Sequence, residues 1–337
     1  IFLTGHHTLY MACMLAVVLS IGGLSGAQLW IAGGCVLAFI MVLSPAYCQP
    51  TFKKVTGTDG VALGHFGGIG YAIAGQVGKL FKGGKSTEEL NFPQRLIFLR
   101  DTTVSISITM IVLFIIVTGV AVAQGLLGED PTQFSYLNEL LNVGTETQTN
   151  WVVWAFTAGC SFGEIVPAFK GIAEKLVPGA VPAIDCPVAY PYAPNAVIIG
   201  FLTSFVAGIV GLFVLTAIDA NLAPVALILP GVVPHFFCCA TAGVFGNAEG
   251  GWKGCIAGAF VHGLLITFLP AICMPVFTSL GFTSATFSDA DFSWLGILFG
   301  NLAQAVQGMP LLVICILFFV APIVYNFVAP KHEVAAE

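Results

Sequence analysis

The stretch VPGAVPAIDCPVAYPYAPNAV, residues 177–197, decides how this chain must fold. It is apolar almost throughout, yet it carries five prolines and one carboxylate, Asp185, with no Lys or Arg within nine residues on either side. Because proline lacks a backbone donor and clashes with the preceding helical turn, no regular helix runs through these residues. This segment, called here the proline-rich stretch, therefore predicts an interrupted backbone with an acid at its centre.

The composition of the whole chain indicates which solvent surrounds it. Of the 337 residues, 57% are hydrophobic and only 8% are charged, whereas soluble domains carry about a quarter charged residues. Long apolar segments in such a chain indicate a lipid bilayer. The sequence has no stripe of basic residues, so it predicts no nucleic-acid partner.

The apolar segments predict an all-α integral membrane protein with about eight spans, since roughly 20 residues cross a bilayer core. The segments long enough to span are 8–25, 28–45, 103–126, 151–169, 196–217, 254–280 and a long one at 294–328. A further apolar run, 221–247, is interrupted by three prolines, and we expect it to be kinked or discontinuous.

A second stretch is also too irregular for an ordinary span. GVALGHFGGIGYAIAGQVG, residues 60–78 and called here the glycine-rich stretch, has seven glycines and one histidine, His65. Irregular backbone at membrane depth is tolerated only where protein or a cavity surrounds it, and paired interrupted segments mark the substrate sites of transporters. We therefore predict a polytopic helical transporter with two re-entrant segments, 58–80 and 177–196.

The distribution of basic residues predicts the orientation in the membrane. Five lysines and arginines between positions 79 and 100 indicate a cytoplasmic loop, 79–102, whose middle is predicted to form an amphipathic helix. The loop 127–150 has four acids and no Lys or Arg, so we place it outside, and the C-terminus then lies in the cytoplasm. By the same count of basic residues, both re-entrant segments enter the membrane from the cytoplasmic face. An inverted repeat would place them on opposite faces, so the face from which the second segment enters is left open.

Asp185 is the first candidate for chemistry, since a charged side chain at the bilayer centre costs about 2.5–3.5 kcal/mol on insertion scales. Two interpretations are open. In one, Asp185 is a structural acid that accepts hydrogen bonds from helix-end N–H groups. In the other, it accepts hydrogen bonds from substrate hydroxyls and serves as a general base when one of them becomes a nucleophile.

The motifs of cofactor chemistry are missing from the sequence. There are ten cysteines but no CxxC pair, and we interpret them as small apolar residues of the core. The sequence has no Walker loop, no dinucleotide fingerprint and no cluster with metal-ligand spacing. We therefore predict neither a metal nor another cofactor.

Four blocks of sequence resemble a known family. They are LTGHHTLYMA (3–12), SPAYCQPTFKKVTGTDGVALGHFGG (44–68), KLVPGAVPAIDCPVAYPYAPNAVIIGF (175–201) and GVFGNAEGGWKG (243–254). In this order they resemble the membrane component EIIC of the ascorbate-type phosphotransferase system, over essentially the whole chain. The first residue is not Met, and the resemblance leads us to expect that an N-terminal part of the family is absent here.

The resemblance implies a single EIIC membrane domain over residues 1–337, made of a substrate-binding core and a part that contacts a second subunit in a homodimer. It implies a multi-pass protein of the bacterial inner (cell) membrane that carries L-ascorbate, or a related sugar acid or polyol, by an elevator-type motion. A partner, EIIB, then transfers a phosphoryl group from its phosphocysteine to the solute, and EIIA supplies EIIB. Whether the chain counts as an enzyme is left open, because it is the transport subunit of a phosphotransferase complex.

The resemblance also assigns site residues one by one. The family's ligand-contacting histidines fall on His6 and His65, and its aspartate falls on Asp185. Two further contacts, glutamines in the ascorbate transporter, fall on Tyr10 and Phe66. Glutamine offers two donors and an acceptor, tyrosine one hydroxyl and phenylalanine nothing, so hydrogen bonds to an ascorbate ring are lost at both positions. A related sugar, sugar acid or polyol is the natural alternative substrate.

A different class of function remains compatible with these residues. In an ion-coupled secondary transporter or channel, Asp185 would bind a proton or Na⁺ and nothing would be phosphorylated. Interrupted helices and carboxylates at the midplane serve both classes, so fold alone does not decide between them. A sensor or receptor that transports nothing is a third hypothesis, which no feature of the sequence favours.

The charge asymmetry yields a test of the orientation. A cysteine introduced by Lys85→Cys should react with a membrane-impermeant thiol reagent only from the cytoplasmic face, and Glu139→Cys only from outside. The labelling of the parent protein from each face is the control. External labelling at position 85 would overturn the predicted orientation.

Overall fold

The computed structural model describes residue 2 and residues 4–90, 183–222, 224–279, 281 and 286–328. The predicted spans at 103–126 and 151–169 and the acidic loop 127–150 lie outside the described residues, as does most of the predicted amphipathic helix of the loop 79–102.

Seven helices of more than ten residues form the described part of the chain. They are α1 (Gly5–Ser20), α2 (Gly26–Thr56), α3 (Gly68–Gly78), α4 (Pro194–Asn221), α5 (Ala240–Thr278), α6 (Ala290–Ala305) and α7 (Met309–Val328). Shorter turns of 3₁₀-helix occur at Lys79–Phe81, Thr87–Glu89 and Cys186–Tyr192, and a helical turn with a π-helix, Val232–Pro234 and His235–Cys239, leads into α5. Two short strands, β1 (Ala62–Leu63) and β2 (Ala183–Ile184), complete the list.

Within the described residues, four helical segments are long and apolar enough to cross a membrane: Gly26–Thr56, Pro194–Asn221, His235–Thr278 and Met309–Val328. The predicted class, a mostly helical membrane protein, is therefore confirmed. The total of about eight spans stays a prediction.

The single long span predicted at 294–328 is wrong. The chain forms two helices there, α6 and α7, separated at Gly308, which has a φ of +62°. Such a left-handed conformation suits glycine, and Pro310 follows in the first turn of α7, where its missing N–H costs no helical hydrogen bond. The Gly308 N–H donates to the Gly22 carbonyl at 2.8 Å, which fixes the corner against the end of α1.

The interruption predicted in 221–247 is found, and a second break follows it. Residues 224–230 have no regular structure. Helix α5 then changes direction at Gly251, where φ is 63° and ψ is −157°. In a straight helix Gly246 and Gly254 would be about 12 Å apart, but here the Gly254 carbonyl lies directly against Gly246. The two halves of α5 therefore fold back on each other.

The glycine-rich and proline-rich stretches meet in a short parallel ladder. Strand β1 pairs with β2 in the register Ala62 with Ala183 and Leu63 with Ile184. The Gly64 N–H extends the ladder by donating to the Ile184 carbonyl at 2.7 Å. Residues 65 and 185 consequently lie beside each other at the end of the ladder. Residues 177–182, the beginning of the proline-rich stretch, lie outside the described part.

Two apolar clusters flank this ladder. One is formed mainly by α1, α2, α6 and α7, and it includes Phe66. The other is formed mainly by α2 to α5, and it includes Leu63 and Tyr71. The segment that carries His65 therefore lies where the two clusters join.

The close contact inside α5 gives a test of the fold. Gly246→Ala should lower the free energy of unfolding by about 1–3 kcal/mol, because the added carbon would overlap with backbone that has no side-chain freedom. Gly34, in α2, is a matched control, since an added carbon has nothing within 4 Å among the described residues. Gly34→Ala should be neutral or stabilising by up to about 1 kcal/mol. Equal thermal unfolding of both variants in detergent would contradict the folded-back arrangement.

Candidate functional site

Three of the site residues predicted from the sequence lie together. His65 and Asp185 follow the paired strands, and their Nε2 and Oδ1 atoms are 3.6 Å apart. His6, from the first turn of α1, places its Nε2 3.8 Å from Asp185 Oδ2. The side chain of His65 is buried, that of Asp185 is 15% exposed and that of His6 is 53% exposed.

The hydrogen bonds of His65 define which of its ring nitrogens carries the proton. The Gly67 N–H donates to His65 Nδ1 at 3.2 Å, so Nδ1 is an acceptor. The hydroxyl of the fully buried Tyr71 lies 2.7 Å from the same atom. A ring whose Nδ1 accepts is neutral and carries its proton on Nε2. His65 therefore presents an N–H donor to Asp185.

Asp185 has the structural role that its sequence left open, and its contact with a solute stays a prediction. It is the N-cap of the 3₁₀-helix Cys186–Tyr192, and its Oδ1 accepts from the Cys186 N–H at 2.7 Å. Its Oδ2 faces His6. One oxygen thus serves the local backbone, and the other is available to an additional partner.

A second carboxylate, Asp289, belongs to this cluster and was missed in the sequence. Its Oδ2 lies 3.8 Å from His65 Nε2 and 3.7 Å from Nδ1 of the buried His7. Its Oδ1 accepts from Ser288 Oγ at 3.0 Å and from Cys238 Sγ, in the π-helix, at 3.2 Å. The motif SDADF before an apolar helix looks like ordinary helix capping, so only a search for acids beside the start of a span would have found it.

Asp291, two residues further on, is fully buried and was missed as well. Five donors lie within hydrogen-bond distance of its carboxylate: Ser44 Oγ (2.7 Å), Tyr47 OH (2.7 Å), the N–H groups of Gly68 (3.0 Å) and Ile69 (3.1 Å), and Trp294 Nε1 (3.0 Å). It therefore caps the N-terminus of α3 from another helix, where the N-cap residue Gly67 has no side chain to do so. Because the Ser44 hydroxyl also lies 3.0 Å from the His65 carbonyl, Asp291 indirectly positions His65.

The remaining two predicted site residues lie at the edge of the cluster. Tyr10 is 52% exposed, and its ring centroid lies 6.2 Å from that of His6. The Phe66 side chain is fully buried and stacks on Phe2 with centroids 4.8 Å apart. That these two residues contact substrate stays a prediction.

In the described part of the chain, two groups of three side chains have the composition of a metal site. His7, His65 and Asp185 form one and His65, Cys238 and Asp289 the other, with the ligand atoms of each group within 4.8 Å of one another. The His65 atom that lies near Asp185 and Asp289 is Nε2, and the hydrogen bond from Gly67 leaves the proton on that atom. A protonated ring nitrogen does not bind a metal, so these residues do not fit one. Instead, the arrangement of a donor between carboxylate acceptors suits hydroxyl groups.

Helices that can cross a membrane, packed around a buried cluster of histidines and carboxylates, define a multi-pass membrane protein with an internal polar site. The chain belongs to the EIIC-GAT family, described as the sugar-specific permease component of the PTS system, whose model matches residues 1–291. The resemblance seen in the sequence is thereby confirmed.

A relative from Mycoplasma pneumoniae is named as an ascorbate-specific PTS system EIIC component. This chain is 29% identical to it over 279 residues, which cover 74% of this chain and 41% of the relative. The chain therefore spans less than half of that relative's length.

The role of Asp291 as a cap and hydrogen-bond acceptor can be tested. Asp291→Asn should lower the free energy of unfolding by about 1.5–3 kcal/mol, the usual contribution of hydrogen bonds to a charged group, because the amide places a donor against donors. Asp59, which is exposed and pairs with Lys53 at 2.5 Å, is the control, and Asp59→Asn should cost about 0–1 kcal/mol. Similar melting temperatures for the two variants in detergent would show that Asp291 does not organise the start of α3.

Proposed function

We propose that this chain is the solute-translocating EIIC part of a phosphoenolpyruvate-dependent phosphotransferase permease. It binds L-ascorbate or a related sugar acid or polyol and presents it to EIIB for phosphorylation. One observation carries the proposal: the two helix-interrupting stretches pair through a ladder whose end brings His65 and Asp185 within 3.6 Å. Membership of a family of sugar-specific permease components supports the same function.

The geometry suits the recognition of neighbouring hydroxyl groups. One hydroxyl of a pair accepts from His65 Nε2–H and donates to a carboxylate oxygen, and its neighbour donates to another carboxylate oxygen of the cluster. His6 is the more exposed partner and adds a further contact to the solute. The ascorbate specificity named for the relative supports a solute of this kind, while Tyr10 at a glutamine position of the ascorbate pattern favours a related compound.

The phosphoryl transfer assigns a second role to Asp185. A hydroxyl oxygen of the solute attacks the phosphorus of the phosphocysteine on EIIB, the sulfur–phosphorus bond breaks, and the thiolate leaves. As the oxygen–phosphorus bond forms, the hydroxyl proton passes to the Asp185 carboxylate, whose Oδ2 accepts no hydrogen bond from the described residues. A general base positioned in this way typically contributes about 10²–10⁴-fold to the rate.

The translocation itself is proposed to be an elevator motion in a homodimer. The interrupted segments that carry His65 and Asp185 would move as one re-entrant core, since the ladder and the Gly64–Ile184 hydrogen bond tie them together. The C-terminus is proposed to face the cytoplasm, where EIIA and EIIB act.

The energy source separates this proposal from an ion-coupled carrier. Inside-out membrane vesicles that contain the protein should convert a radiolabelled solute to its phosphate only when EIIB, EIIA, the general phosphocarriers and phosphoenolpyruvate are supplied. Transport driven by a proton or sodium gradient, with no phosphoryl donor and an unmodified product, would overturn the proposal.

Asp185→Asn should separate binding from catalysis, because an amide of the same size binds hydroxyls but does not accept a proton. If Asp185 is the general base, phosphorylation should fall by about 10²–10⁴-fold, while binding to the isolated membrane component changes less. If Asp185 only anchors the solute, binding and phosphorylation should fall together. Asp219→Asn, at an exposed acid that accepts from the Val225 N–H, is the control. Values like those of the unmodified protein in both assays would remove Asp185 from the mechanism.

A further inference from the structure

We propose that Asp289 is a second solute-binding carboxylate, and that Asp185 and Asp289 together select an uncharged polyol over the sugar-acid anion of the same carbon skeleton. This inference rests on the proposed function above and narrows its substrate class.

The side chain of Asp289 does not cap its own helix. It occupies the N-cap position of α6, with φ −80° and ψ 145°, where an aspartate normally accepts from the first N–H groups of its own helix. No such hydrogen bond is present. The carboxylate instead faces His7 and His65, at 3.7 and 3.8 Å. These separations exceed hydrogen-bond length, so Oδ2 keeps its capacity to accept.

The second oxygen of Asp289 explains why the side chain stays in this position. Oδ1 accepts from Ser288 Oγ and from Cys238 Sγ. The backbone two residues later is held as well, because the Asp291 N–H donates to the Phe66 carbonyl at 2.9 Å. One oxygen therefore anchors the carboxylate, and the other is presented beside His65.

The cluster now has one defined donor between two acceptors. His65 Nε2 carries a proton and lies 3.6 Å from Asp185 Oδ1 and 3.8 Å from Asp289 Oδ2. A solute with several hydroxyls matches this order, since each hydroxyl both donates and accepts. A carboxylate or enolate oxygen only accepts, so it finds a single suitable partner.

The negative charge of the two carboxylates also favours an uncharged solute over an anion. The ionisable groups that interact with the two carboxylates within the described residues are three histidines, three cysteines and one tyrosine: His6, His7, His65, Cys186, Cys238, Cys239 and Tyr71. His65 is neutral by its hydrogen bonds. An anionic solute would therefore add a like charge within a few ångströms of two carboxylates, where the low dielectric strengthens the repulsion. An uncharged polyol avoids this repulsion.

Matched pairs of solutes test the selection directly. Binding of alditols, and of the aldonates with the same carbon skeletons, to the purified protein is measured by isothermal titration calorimetry, together with binding of L-ascorbate, an anion at neutral pH. We expect an alditol to bind at least about tenfold more tightly than its aldonate. A ratio below about twofold, or a preference for the aldonate or for ascorbate, would overturn the inference.

Variants of Asp289 test the residue. Asp289→Asn should weaken alditol binding about tenfold or more and reduce the alditol-to-aldonate ratio, since it removes the negative charge and replaces one carboxylate oxygen by an NH₂ group, which only donates. Asp59→Asn, at an exposed acid, should change neither quantity. If Asp289→Asn does not fold, Asp289→Glu replaces it, and weaker alditol binding at an unchanged melting temperature is then expected. Alditol affinity within about twofold of the unmodified protein in a folded variant would remove Asp289 from the site.

The outcomes also separate this inference from the proposed function. If the protein binds none of the alditols, aldonates or ascorbate, the proposed function fails. If it binds aldonates or ascorbate more tightly than alditols, the permease assignment stands and only the selection of uncharged solutes fails.

Discussion

Interrupted backbone can lie at membrane depth only when its N–H and C=O groups find partners inside the protein. The glycine-rich and proline-rich stretches supply these partners to each other through the ladder of β1 and β2. The approach is so close that a side-chain carbon on Gly64 would lie 2.5 Å from the Ala183 carbonyl oxygen. The candidate site depends on this pairing, because a shift of register would carry His65 and Asp185 away from each other.

The ladder sets the position of His65, and Asp291 sets its orientation. A buried carboxylate is stable only with several donors, and Asp291 takes them from α2, from the start of α3 and from α6. The turn between His65 and α3 is thereby fixed through Ser44 and the N–H of Gly68. With that turn fixed, the Gly67 N–H points at the histidine ring and determines its tautomer. Asp291 thus positions a residue of the candidate site without lying in that site.

Much of this arrangement could be predicted from the sequence, for an identifiable reason. Prolines and glycines interrupt a helix whatever the tertiary structure around them. The stretches with His65 and Asp185 could therefore be recognised from local sequence alone. Asp289 and Asp291 could not, because acids at the N-cap and in the first turn of a helix usually cap that helix, and the sequence does not show that tertiary packing directs these two to other partners. Glycines beside a histidine can allow a ligand to approach the backbone closely. At Gly68, however, an added carbon would meet Ser44 and Tyr47, so this glycine admits the protein's own side chains.

The tautomer of His65 also bears on the two classes of transporter that the sequence left open. A carrier coupled to Na⁺ or to another cation would hold the ion between carboxylates such as Asp185 and Asp289. In this structure the protonated Nε2 of His65 lies 3.6 Å from Asp185 and 3.8 Å from Asp289. The partial positive charge of this ring N–H repels a cation held between the two acids. The same N–H favours a hydroxyl, which accepts a hydrogen bond from it and donates one to either carboxylate. The hydrogen bond from one backbone amide, that of Gly67, therefore favours a site for polyhydroxylated solutes over a site for ions.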